Sequence, residues 1–180
     1  DFEAYQSVHR DGALQLRVCF YLPVRYLDTM ISAKIKSGFG DTRFRFGGMK
    51  IFMDGTLGSQ TAHMLEPFEQ SVNYGTEITT QEALDEYVLR AAENDIACAI
   101  HAIGDRANRK VLDAFTKSRK AFPEKKLRQR VEHAQIIHPD DIPRFAACEA
   151  IASMQAIHIP EDIDAANRYW GVRARWAYPF

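Results

Sequence analysis

The chain has 180 residues, of which 46% are hydrophobic, and its formal net charge is −1 at pH 7. This length and composition predict one soluble domain over residues 1–180 with a core of its own. The small charge gives no electrostatic reason to expect nucleic acid as a partner, and no apolar run approaches the roughly 20 residues that a membrane-spanning helix needs. The three widely spaced cysteines in apolar surroundings predict reduced packing residues of a cytoplasmic protein, and no signal-peptide pattern opens the chain.

Two strands and a long loop are predicted in the first half of the chain. Residues 15–24 alternate and then become apolar, and residues 47–53 form an apolar run that two glycines introduce. The loop over 54–78 is polar and contains several glycines. A loop of this length between two elements is typical of a functional segment.

A helix is predicted over 80–94, because Thr79 and Glu82 have the spacing of a capping box and apolar residues recur on one face. The strand predicted over 96–101 is almost entirely apolar, as expected for a parallel strand that is covered on both faces. This strand is the third in the predicted order.

The second half of the chain continues the alternation. A helix is predicted over about 105–121, with Asp105 as its N-cap. Four further elements follow: a strand at 130–135, a short helix at 138–149, a strand at 151–158 and a helix over 164–180. About five strands that alternate with helices predict an α/β fold with a parallel sheet, either a barrel or a doubly wound sheet.

Three potential metal ligands lie at the ends of successive predicted strands: Lys50, His101 and His133. Because parallel strands end at one edge of their sheet, we expect these side chains to converge there. Two convergent imidazoles bind zinc or a similar ion, although each histidine can equally serve only as a hydrogen-bonding residue. Burial would lower the pKa of Lys50 and allow its amine to form a carbamate with CO₂; the alternative is a solvated lysine.

Four other residues are candidates for substrate contact or for support of the ligands: Asp54, Asp105, Arg106 and His158. Asp54 lies in the segment DGTLG, where a turn-forming role is more typical than that of a base. Asp105 and Arg106 follow the strand of His101 and are expected to brace the ligands. His158 ends the next predicted strand after His133, and we expect it to reach the same edge.

Four segments together resemble the amidohydrolase superfamily, in particular its YtcJ-like, amidohydrolase-3 branch, which includes N-substituted formamide deformylases. In chain order they are GGMKIFMDGTLGSQTA, HAIGDRANRKVLDAF, RVEHAQIIHPDDIPRF and IASMQAIHIPED. The resemblance begins at about residue 14. It implies a (β/α)8 TIM barrel with a metal centre that holds one or two ions, Zn²⁺ or another divalent metal, in the full-length enzyme. The metal centre is expected to activate water, which then hydrolyses an amide-type C–N bond in a small molecule.

The resemblance also implies roles for individual residues. Lys50 matches the lysine of the family's fourth strand, which is carboxylated in many members, and His101 and His133 match the ligands of strands five and six. The His-x-His motif of strand one and the aspartate of strand eight, which is also the catalytic base, have no counterpart in this chain. The chain therefore resembles a partial barrel of strands three to seven, without the base.

This matching leads to three expectations and leaves two alternatives open. A partial barrel is expected to bind at most one metal ion weakly, to have negligible activity, and to form a homo-oligomer through exposed sheet edges. One alternative is a non-catalytic α/β module that acts by association. The other is a hydrolase of an ester or a phosphoester, since a fold does not determine its substrate.

Overall fold

The computed structural model describes residues 2–179, which contain one five-stranded parallel sheet. Its strands are β1 (Val18–Pro23), β2 (Phe44–Phe52), β3 (Cys98–Ala102), β4 (Arg130–His133) and β5 (Ile151–Ser153). The strands lie in the sheet in the same order as in the chain. A doubly wound sheet reverses its strand order at a switch point, whereas a barrel does not. The observed order is therefore that of a barrel, and the predicted α/β class is confirmed.

The helices are α1 (Phe2–Arg10), α2 (Leu27–Ser32), α3 (Gln81–Glu93), α4 (Asp105–Ala121), α5 (Ile142–Ala147) and α6 (Ile159–Trp170). Short 3-10 turns occur at Val24–Tyr26, Pro139–Asp141, Ala156–His158 and Gly171–Trp176. Helices α1 and α2 are not predicted from the sequence; α1 has an apolar face but buries none of its residues, and α2 has six residues, of which two are buried. No helix within residues 2–179 is long and apolar enough to cross a membrane.

Both predicted helix caps are wrong by one residue. The N-cap of α3 is Thr80, whose hydroxyl accepts a hydrogen bond from the N–H of Ala83, whereas the Thr79 hydroxyl donates to the Phe52 carbonyl. No capping box with Glu82 forms, because with Thr80 as the N-cap Glu82 is the second helical residue, one position short of the third that a capping box requires. In α4, the N-cap is the glycine at 104, and Asp105 is the first helical residue.

The structure also shortens the last predicted strand. The strand expected over 151–158 ends at Ser153, and α6 begins earlier than the helix expected over 164–180. Pro160 in the first turn favours a helix start at this position, since its fixed φ suits the helix and its missing N–H costs nothing there. Gly171 ends α6 with a φ of 55°, a conformation that glycine adopts without strain.

The main core lies between the sheet and helices α3 and α4. Fully buried members from the strands include Ile51, Ile100 and Val131, and those from the helices include Leu84, Val88, Val111 and Phe115. Cys98 and Cys148 belong to this core, but Cys19 is exposed, which corrects the expectation that all three cysteines are packing residues.

A second core joins the loop over 54–78 to α6. Its buried members include Leu57, Met64, Phe68, Ile136 and Trp170. The loop is therefore packed up to Phe68, whereas most of residues 69–78 are exposed.

The other face of the sheet is open and polar. The strand register puts Lys50 and Phe52 on the same face as His101, opposite to the helices, and Phe52 is 50% exposed. The Arg130 guanidinium lies 6.0 Å from the ring centroid of Tyr21, although two strands separate β1 from β4. Adjacent strands are about 4.8 Å apart, so this contact across the face indicates that the sheet is concave here.

Candidate metal centre

His101 and His133 meet at the carboxyl edge of the sheet. Their ring centroids are 4.7 Å apart, and the rings are nearly perpendicular at 71°. His101 is the fourth residue of β3, and His133 is the last residue of β4. The expected convergence of these two side chains is therefore present in the structure.

The backbone at His133 leaves the extended conformation. His133 has a φ of 74° and Ala134 a φ of 45°, a region that residues other than glycine rarely adopt. Strict alternation along β4 would put His133 on the helix-covered face with Val131, away from His101. Backbone conformations of this kind cost about 1–3 kcal/mol each and are concentrated at functional sites, and here they accompany the contact between the two imidazoles.

The tautomer of His101 follows from its hydrogen bond. Its Nε2 lies 2.8 Å from the carbonyl oxygen of Gly55. A carbonyl oxygen only accepts, so Nε2 donates a proton and Nδ1 keeps its lone pair. Burial lowers the pKa of His101 to about 4, and the nearby charge of Lys50 acts in the same direction. His101 is therefore neutral at pH 7, which is the form that binds metal ions.

Lys50 is partly buried on the same face. Its Nζ lies 4.8 Å from the ring centroid of Phe52. Burial lowers the pKa of Lys50, while the negative charge of Glu132 opposes that change. The charge of Lys50 lowers the pKa of both His101 and His133, so the three candidate ligands are within electrostatic reach of one another.

The donor set fits a metal ion only in part. Within residues 2–179, no group of three or more His, Cys, Asp and Glu side chains is arranged to hold a metal ion. The two imidazoles provide two nitrogen donors. A carbamate on Lys50 would add an anionic oxygen donor, and nitrogen and oxygen donors of this kind suit Zn²⁺.

Asp54 lies directly behind His101 and is 1% exposed. Its carboxylate accepts hydrogen bonds from the backbone N–H groups of Ile103 (3.0 Å), Gly104 (2.8 Å) and His63 (2.9 Å), and Oδ1 lies 3.6 Å from Nε2 of His101. Burial raises the pKa of Asp54 to about 7, although the three hydrogen bonds oppose that rise. Asp54 thus joins the start of the loop over 54–78 to the turn between β3 and α4.

Asp105 and Arg106 hold the same loop. The Asp105 carboxylate accepts a hydrogen bond from the N–H of Leu65 at 2.7 Å, and the Arg106 guanidinium donates to the carbonyls of Met64 and Leu65 at 2.8 and 2.9 Å. Gly104 is needed beside them, because a Cβ there would lie 2.1 Å from the carbonyl oxygen of a loop residue. The structure therefore places Asp105 and Arg106 against the loop; a role in bracing the ligands stays a prediction.

His158 and Gln155 follow β5 on the other side of His133. His158 is exposed, and its ring centroid is 6.3 Å from that of His133, so it lies near the predicted edge. Gln155 is not predicted from the sequence, although its side-chain oxygen is buried beside the site. Its only signal is that it is a polar residue in an otherwise apolar run.

We expect His101 to make stability depend on pH. Its pKa in the folded chain is about 4, below the value of about 6.5 for an unfolded histidine. As the pH falls below 6.5, the unfolded chain takes up a proton that folded His101 does not, so the free energy of unfolding decreases by about 2 kcal/mol between pH 7 and 4.5.

Urea unfolding of the wild type and of His101→Asn at both pH values, with a chelator present, measures this contribution as the difference between the two pH dependences. Other groups contribute equally to the pH dependence of unfolding in both proteins and cancel in the difference. Among them is Asp54, whose raised pKa makes the folded chain more stable as the pH falls. Equal pH dependence in the two proteins would contradict the expectation.

The fold and the site together define a class of protein. A parallel sheet in sequential order, with neutral imidazoles and a partly buried lysine at its carboxyl edge, is typical of metal-dependent hydrolases of the TIM-barrel type. The chain belongs to the amidohydrolase family, whose model matches residues 1–180. The expected membership of the amidohydrolase-3 branch is thereby confirmed.

Relatives and solved structures agree with this assignment. The chain is 32% identical over 174 residues to the protein LONG AFTER FAR-RED 3 of Arabidopsis thaliana, covering 95% of the chain and 30% of that protein. It is 36% identical over 119 residues to the putative amidohydrolase YtcJ of Bacillus subtilis, and this match covers 65% of the chain and 22% of YtcJ. A metal-dependent hydrolase of Pyrococcus furiosus superposes with a TM-score of 0.83 at 31% identity, covering 98% of the chain and 36% of the hydrolase.

A second metal-dependent hydrolase, from Pyrococcus horikoshii, also has a TM-score of 0.83, at 28% identity, and the chain covers 35% of it. The chain thus spans between 22% and 36% of the length of each of these four proteins.

Proposed function

We propose that this chain is part of a metal-dependent hydrolase that cleaves an amide-type C–N bond in a small molecule. The observation that carries the proposal is the pair of imidazoles 4.7 Å apart at the carboxyl edge of the sheet, with His101 held neutral. The similarity to a putative amidohydrolase and to metal-dependent hydrolases supports the reaction class.

In this proposal Lys50, His101 and His133 would hold Zn²⁺ or another divalent ion. When bound, such an ion lowers the pKa of its water and so supplies a nucleophile at neutral pH. The chain itself keeps His101 neutral through burial and directs Nδ1 toward the site, since Nε2 is engaged by Gly55. His158 stands at the exposed side of the site, where it can contact a substrate.

We further propose that the chain alone hydrolyses substrate at a negligible rate. The family's base, an aspartate on the eighth strand, has no match in this sequence. A general base contributes about 10²–10⁴-fold to the rate of such reactions.

Metal binding to the purified chain tests the proposal. Isothermal titration with Zn²⁺ is expected to show at most one equivalent, and His101→Ala or His133→Ala is expected to weaken binding by at least about 100-fold. That value is the upper end of the loss seen when a residue that only orients a ligand is removed. His9→Ala is the matched control, because His9 pairs with Asp41.

Unchanged zinc affinity in both site variants would contradict the metal site. Turnover of an amide substrate by the purified chain at the rate of a full-length relative, abolished by a chelator, would contradict the expected inactivity.

One observation favours a second candidate function. The concave face carries the half-exposed Phe52, and β1 and β5 are the outer strands of the sheet in residues 2–179. Exposed edges and apolar groups favour association, so a module that acts by forming a homo-oligomer is the alternative. Hydrolysis of an ester or a phosphoester and a cytoplasmic location also stay predictions.

A further inference from the structure

We propose that Gln155 is a positioning residue, whose side-chain oxygen accepts the N–H of the His133 imidazole and thereby selects the nitrogen that is free to bind metal. This inference rests on the proposed metal site and adds to it a residue that orients a ligand. The evidence is the orientation of the Gln155 amide, the burial of its oxygen and the position of His133.

The amide orientation of Gln155 follows from its backbone contact. Its Nε2 donates a hydrogen bond of 2.7 Å to the carbonyl oxygen of Ser153. The opposite orientation would bring two oxygen atoms together, and neither can donate. The chemistry of the carbonyl therefore assigns the nitrogen to Ser153 and leaves Oε1 on the other side.

The oxygen of Gln155 is buried and lacks a hydrogen-bond partner among the described residues. Buried polar atoms are nearly always satisfied, so this oxygen is an acceptor available to a donor of the site. Ser153 pairs with Glu132, the residue before His133, and Gln155 follows two residues later, so its side chain lies beside the His133 imidazole. The two side chains form no hydrogen bond in the structure, which leaves the oxygen free to accept the imidazole N–H.

His101 provides a parallel in the same site. Its Nε2 already donates to a backbone carbonyl, so that the other nitrogen is free. With Gln155 as acceptor, His133 would have the same arrangement: one nitrogen bound to the protein and one lone pair available near the neighbouring ring, 4.7 Å away. Metal-binding histidines commonly donate their second N–H to such a partner, which fixes both tautomer and ring orientation.

The tautomer of His133 in the metal-free chain tests this proposal directly. Long-range ¹H–¹⁵N NMR is expected to show one dominant neutral tautomer of His133 in the wild type and a mixture in Gln155→Met. Gln155→Glu retains an acceptor oxygen and is expected to restore the single tautomer. Gln81→Met, which removes a partly buried amide from α3, is the control for the loss of a glutamine and should leave His133 unchanged.

Zinc affinity provides a second measurement, and Gln155→Met is expected to weaken it by about 10–100-fold with partial recovery in Gln155→Glu. A wild-type His133 that populates both tautomers equally would overturn the proposal, and this measurement needs no variant to fold. An unchanged tautomer in folded Gln155→Met would also overturn it. If the wild-type chain binds no zinc while the tautomer responds as expected, the proposed function fails and the positioning role of Gln155 stands.

Discussion

Replacement of Asp54 by alanine is expected to lower the free energy of unfolding by about 4 kcal/mol. The carboxylate is 1% exposed and accepts hydrogen bonds from the N–H groups of Ile103, Gly104 and His63. Alanine would leave these donors with no partner in the interior, at roughly 1–3 kcal/mol for each one that water cannot reach. Urea unfolding at pH 7 measures the change.

Asp140→Ala is the matched control for Asp54→Ala. The Asp140 side chain is 84% exposed, and a surface substitution of this kind usually changes stability by less than about 0.5 kcal/mol. If Asp54→Ala costs no more than the control, the three hydrogen bonds do not hold the loop over 54–78 to the turn before α4.

Replacement of Trp170 by alanine is expected to cost about 3–5 kcal/mol, the range for removal of a large aromatic side chain from a core. Trp170 is fully buried in the second core, between α6 and the loop that carries Leu57 and Phe68. Because its loss removes the surface on which the loop packs, amide hydrogen exchange over 54–78 is expected to accelerate while β3 stays protected.

Val172→Ala is the control for Trp170→Ala, since Val172 lies two residues away and is 78% exposed. It is expected to change neither the unfolding midpoint nor the exchange of the loop. Uniform acceleration of exchange over the loop and β3 in Trp170→Ala would mean that the two cores unfold together, contrary to the prediction.

Hydrophobic patterns predict most of the elements that form the sheet. The residues of β2 and β3 are mostly apolar, so the existence and parallel pairing of these strands follow from composition and from the alternation with helices. The boundaries follow less well: the spacing of Thr79 and Glu82 fits a capping box, yet the helix begins one residue later, with Thr80 as its N-cap. Helix α1 buries none of its residues and α2 only two, so neither is marked by a buried apolar run.

The candidate ligands are predictable because of a simple geometric rule. Parallel strands end at one edge, so the residues at the ends of β3 and β4 must lie close together, and His101 and His133 do. No local rule predicts the left-handed backbone at His133, which runs against the alternation of its strand. That conformation is imposed by the surrounding structure.

The sequence by itself determined the α/β alternation and three candidate metal ligands, because periodicity and residue chemistry are local properties. The tertiary structure decided the sequential strand order of the sheet and the partners that each buried polar group contacts. Asp54 bonds to residues 9, 49 and 50 positions away, and Gln155 faces His133 from a neighbouring strand end. Such partners share no sequence spacing, since they meet only when the loop over 54–78 and β5 have packed against β3 and β4.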